Sequence, residues 1–94
     1  MKLFTKTEIE THLNQLDLSW QFDGKNLFKA FVFLDFDQAV LAFNLISEIA
    51  KKQCHHPKMT NEYNKLIVKI HTHDLGGISQ KDFDLIQAIE LLDL

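Results

Sequence analysis

The sequence predicts an α+β fold, a four-stranded antiparallel sheet with helices packed on one face (an alpha-beta plait), in the order helix, two strands, helix, two strands, helix. Three observations predict it. Apolar residues recur at helical spacing in three segments. Between those segments lie runs rich in Phe, Val and Ile, the residues that fill pleated strands. Turn signals at Asp23-Gly24 and Asn64-Lys65 join the strands in adjacent pairs, which makes them antiparallel neighbours. The 94 residues hold one domain, spanning 1–94, with no room for a second core.

The elements follow in order. Thr5 to Leu16 reads as a helix, because Thr5 and Glu8 match a capping box and Ile9, Leu13 and Leu16 share a face. Ser19 to Phe22 reads as a strand with Trp20 and Phe22 on one side. Lys25 to Leu34 follows as a second strand, apolar on both faces and so expected to be covered on both. Asp35, with Gln38 three residues on, starts a second helix that ends near Gln53 beside Lys51 and Lys52. Phe36, Ala39, Val40, Phe43, Ile46 and Ala50 form its expected core stripe. Leu41, Leu45 and Ile49 widen that stripe enough to suggest a subunit interface. Cys54 to Asn61 is expected as a loop, Glu62-Tyr63 as a short strand, and Leu66 to Thr72 as a longer one with Leu66, Val68 and Ile70 on one face. Gly76-Gly77 is a turn with a positive φ expected at one glycine. Ser79 caps the last helix with Asp82 at its third position.

Composition narrows the function. The chain is 46% hydrophobic and carries 24% charged residues, a globular rather than a disordered balance. The net charge is −3 and no basic stripe is present, which argues against direct nucleic-acid binding. No run approaches the roughly 20 apolar residues of a membrane span. The first residues lack an apolar signal region, and the lone cysteine, Cys54, suits a reducing compartment. The expected location is cytoplasmic.

Chemistry concentrates in histidine. Of five histidines, His55, His56, His71 and His73 fall in one short stretch. Imidazole both gives and takes protons near neutrality, so a loop with two rings facing a strand end with another is a proton-transfer arrangement. His12 reads as a surface residue and His71 as a solvated strand residue.

At His55-His56-Pro57, Tyr63-Asn64-Lys65, Thr72-His73-Asp74, Gly76-Gly77 and Asp82, the chain resembles the pterin-4a-carbinolamine dehydratases, also called 4a-hydroxytetrahydrobiopterin dehydratases. The likeness continues upstream through Trp20, Phe31, Phe33 and Asp35-Phe36, and so covers nearly the whole chain. It implies removal of water from a 4a-hydroxytetrahydropterin to give a quinonoid dihydropterin, in pterin recycling, with no metal or organic cofactor. It implies catalysis by His55, His56 and His73, and substrate contacts from Thr72, Pro57, Met59 and Asp82, with Asp82 accepting a hydrogen bond near His73. It also implies subunits that pair as homodimers or homotetramers around a small-molecule pterin site.

The chain departs from the family pattern at several positions. Lys51 stands where relatives usually carry a carboxylate; pointed into the site, it would disfavour a charged His55. Cys54 replaces Asp or Asn, Met59 replaces Trp, and His71 is not a family residue. A weakly active or inactive chain acting as a protein-binding dimerisation module is the alternative reading. A three-nitrogen metal site from His71, His73 and either His55 or His56 is the minor one.

Overall fold

The computed structural model describes residues 2–16 and 19–94. It contains helix α1 (Lys6–Leu16), strands β1 (Gln21–Phe22) and β2 (Leu27–Val32), helix α2 (Phe36–Gln53), strands β3 (Lys58–Glu62) and β4 (Lys65–Ile70), a 3-10 turn at His73–Leu75, and helix α3 (Gln80–Glu90). The element order is the expected one. The four strands form one sheet in the order β1-β2-β4-β3, every pair antiparallel.

Local chemistry sets the helix starts. The Thr5 hydroxyl accepts the Glu8 N–H at 3.1 Å and the Glu8 carboxylate accepts the Thr5 N–H at 2.9 Å, a reciprocal cap on α1. Asp35 Oδ1 accepts the Gln38 N–H at 2.9 Å at the start of α2. That helix ends at Cys54, which takes a left-handed conformation with φ 51 and ψ 42.

The core lies between the sheet and the helices. Leu27, Phe31, Leu66, Val68 and Ile70 project from one sheet face into a buried cluster with Ile9, Ile46, Phe83, Leu85, Ile86 and Ile89. Trp20 is buried there, edge-on to Phe31 with centroids 6.2 Å apart, and its indole N–H has no hydrogen-bond partner. Lys29 reaches from the same sheet face to pair with Glu90 on α3, and its ammonium lies 4.7 Å from the Phe31 ring centroid.

Three expectations are corrected. The strand expected at Glu62-Tyr63 is the five-residue β3, which begins at Lys58 inside the expected loop; its hairpin turn is Tyr63-Asn64, with Glu62 opposite Lys65. Sequence missed it because β3 is an edge strand whose residues alternate only between exposed and half-buried. The second strand is not covered on both faces: Ala30 and Val32 lie exposed on the side away from the helices. In α2, Ala39, Ile46 and Ala50 of the expected stripe are buried, but Phe36 is exposed and Ala42, outside that stripe, is buried. No helix among the described residues is long and apolar enough to cross a membrane.

Candidate active site

The site forms where α2 runs out, β4 runs out and α3 begins. The left-handed turn at Cys54 reverses the chain, and the His55 N–H donates to the Ala50 carbonyl at 3.1 Å. His55 is thereby turned inward and buried, while His56 stays exposed. Past β4, Thr72 pairs with Gly77: its N–H donates to the Gly77 carbonyl at 2.8 Å. The loop closes through Gly76 at φ 68, the positive φ expected at one of the two glycines. This places His73 at the mouth of the same cleft.

A buried hydrogen-bond network supports the floor. His55 Nε2 lies 2.6 Å from Asp82 Oδ1. The other carboxylate oxygen, Oδ2, accepts from the Thr72 hydroxyl and from the Ser79 N–H, each at 2.8 Å. Thr72 Oγ1 and Ser79 Oγ are 2.7 Å apart. Asp82 is wholly buried at the first turn of α3, where the helix dipole favours a negative charge. Its carboxylate therefore both caps the helix and orients an imidazole. The hydrogen bond expected near His73 comes from Thr72, the residue before it, and the imidazole that Asp82 holds is that of His55.

The cleft has a volume of about 330 Å³ and is lined by Cys54, His55, His56, Thr72, His73, Asp74 and Lys81. All three histidines singled out from the sequence thus face one space, with Thr72 between them and Asp82 beneath. Pro57 is half-buried and lies outside the lining, and Met59 packs instead against the core. Lys51 is absent from the lining as well. Its ammonium pairs with Glu48 Oε1 at 3.1 Å on the exposed side of α2. The cation that reaches the cleft is Lys81, one residue before Asp82; nothing in the local sequence marks it.

His71 also differs from its expected solvated state. It is half-buried, its Nδ1 lies 2.8 Å from Asn26 Oδ1, and its ring sits 4.0 Å from that of His73, centroid to centroid. Burial, then the charges of His73 and Lys25, lower its basicity. Among the described residues, no group of three His, Cys, Asp or Glu side chains is arranged to hold a metal ion.

Residues 2–92 match the sequence profile of the family described as pterin 4 alpha carbinolamine dehydratase. The chain belongs to that family. A provisionally named pterin-4-alpha-carbinolamine dehydratase of Sulfurisphaera tokodaii is 40% identical over 92 residues, covering 98% of each chain. A like-named protein of Nostoc punctiforme is 39% identical over 88 residues, covering 94% of each. The crystal structure of a transcriptional coactivator/pterin dehydratase from Brucella melitensis superposes with a TM-score of 0.87 at 29% identity, covering 96% of this chain and 97% of that one. The carbinolamine dehydratase fold of this chain is thus the one expected from its sequence.

Proposed function

We propose that the chain dehydrates a 4a-hydroxytetrahydropterin to the quinonoid dihydropterin, with His55, His56 and His73 as its proton-transfer groups. The observation that carries this reading is the convergence of the three imidazoles on one cleft, one of them anchored by a buried carboxylate.

The reaction breaks the C4a–O bond, forms a C=N bond to the neighbouring ring nitrogen, and releases water. One proton must reach the departing hydroxyl and one must leave the nitrogen. The bond to Asp82 fixes Nε2 of His55 and leaves Nδ1 as its exchanging nitrogen. His55 and His73 take the acid and base roles, and the exposed His56 orients the ring or relays protons. Each positioned acid or base contributes roughly 10²–10⁴-fold. Thr72 and its backbone offer hydrogen bonds to the flat edge of the pterin.

The test generates the 4a-hydroxytetrahydropterin in situ and follows its decay by absorbance. The expected result is saturable acceleration by the chain, lost in His73→Ala. A folded chain that gives no acceleration rejects the enzyme reading and leaves the second one.

That second reading is a protein-binding dimerisation module. It is favoured by the outer side of α2, where Leu41 and Leu45 are exposed one turn apart, beside Leu94. A second copy of this chain is the occupant both readings share, giving a homodimer or homotetramer. Light scattering of the chain and of Leu41→Glu measures it directly.

A further inference from the structure

A second concavity, of about 280 Å³, shares His56 and His73 with the cleft and is otherwise lined by Lys25, Asn26, Lys58, Lys69 and His71. It lies where the exposed sheet face meets the turn between β1 and β2. No acidic residue lines it, on a chain whose net charge is −3.

The strand register makes this arrangement costly. Lys58 and Lys69 stand directly opposite one another on β3 and β4. Both are on the face away from the helices, since the alternate residues Val68 and Ile70 are buried. Like charges directly opposite each other destabilise a strand pair. Among the described residues, no carboxylate pairs with Lys25, Lys58 or Lys69. The Asp23 carboxylate is near enough for Lys69 to contribute to its lowered basicity, but Oδ1 is occupied by the N–H groups of Lys25 and Asn26 at 2.8 and 2.6 Å. Asn26 spends Oδ1 on His71 and turns its amide N–H₂ toward Asp23, so the cationic character of the concavity rests on the three ammoniums. Unpaired cations gathered in a concavity await an anion.

The geometry points to an oxyanion subsite for the pterin's own side chain. A substrate whose side chain ends in a phosphate ester or carboxylate sets its ring among His55, His56 and His73 and its anion between Lys58 and Lys69. This rests on the dehydratase reading for the ring and adds the charge class of the substrate.

The experiment titrates the fluorescence of two matched pterins, 6-hydroxymethylpterin and its phosphate monoester, with the full chain at low ionic strength. The phosphate ester is expected to bind roughly tenfold more tightly. The advantage shrinks as salt screens the ammoniums and disappears in the Lys58→Gln/Lys69→Gln variant. That variant removes a repulsive pair, so its melting temperature is expected to stay level or rise. Inorganic phosphate is expected to compete with the ester and not with the neutral pterin. Equal binding of the two pterins, no binding of either, or an advantage retained in the double variant overturns the subsite. Inorganic phosphate binding with no preference for the ester also overturns it, by assigning the cradle to a free anion. Failure of the dehydratase reading shows separately, as pterin binding without accelerated dehydration.

Discussion

His55 and Asp82, 27 residues apart in the chain, meet at 2.6 Å through Nε2 and Oδ1, with the Asp82 carboxylate wholly buried. One carboxylate oxygen orients the imidazole, while the other ties the end of β4 to the start of α3 through Thr72 and Ser79. Asp82→Asn keeps the shape but removes the anion and places N–H donors where an acceptor is needed. Activity is expected to fall by roughly 10²-fold, mainly in kcat, with a loss of about 2 kcal/mol of stability. Steady-state kinetics and urea unfolding on the same preparation check both.

The histidines separate by their burial. His73 is exposed and His55 is not. His73→Ala is expected to lose roughly 10²-fold or more in kcat with stability changed by less than about 0.5 kcal/mol. His55→Ala loses comparable activity and also about 3 kcal/mol, because it strands a buried carboxylate. Equal stability of the two variants rejects this distinction.

Cys54 holds a left-handed conformation that costs an L side chain about 1–2 kcal/mol and that glycine accepts freely. Cys54→Gly is expected to raise the melting temperature by a few degrees, of the order of 4–8 °C per kcal/mol in a chain of this size. A lower melting point overturns the cap assignment.

Lys51→Glu tests the departure from the family pattern. Because the Lys51 ammonium pairs with Glu48 away from the cleft, turnover and its pH profile are expected to stay unchanged. The new like-charge pair one turn apart costs a few tenths of a kcal/mol, roughly. An altered pH–rate profile shows that the side chain reaches the site.

Two acid steps in stability are expected. Glu8 is pulled down to about 2 by its bond to Lys2 and by the Thr5 N–H. Its contribution is therefore full above the unfolded value near 4.5 and lost as pH falls toward 2. His71 is lowered from 6.5 by burial and by the charges of His73 and Lys25. A histidine held neutral contributes fully above that value, and the contribution is lost on acidification below it. Melting temperature against pH resolves the two. Glu8→Gln is expected to flatten the lower step and His71→Gln the upper one.

The fold was legible where period and caps agreed. Leu66, Val68 and Ile70 alternate into the core as written, and Asp35 caps α2 through Gln38 as expected. It was illegible where tertiary packing chose among similar residues: Ala42 went inward in place of Phe36, and the polar run from Lys58 became an edge strand only because β4 offered it a partner. At the site, the grouping of His55, His56 and His73 in one cleft followed from spacing matched to a family. The bond between His55 and Asp82 did not, since it depends on how the loop after Cys54 turns. Lys81 entered the cleft simply by preceding Asp82 on α3, and the basic cradle required knowing that Lys58 faces Lys69.

Trp20 is the only tryptophan in the chain, and it sits in the dry interior against Phe31. Its emission is therefore an intrinsic optical gauge of core integrity: blue-shifted while the interior is closed and red-shifted once solvent reaches the indole. Because its ring belongs to the core cluster and not to the cleft lining, the signal reports folding without any residue of the cleft having to be altered or labelled.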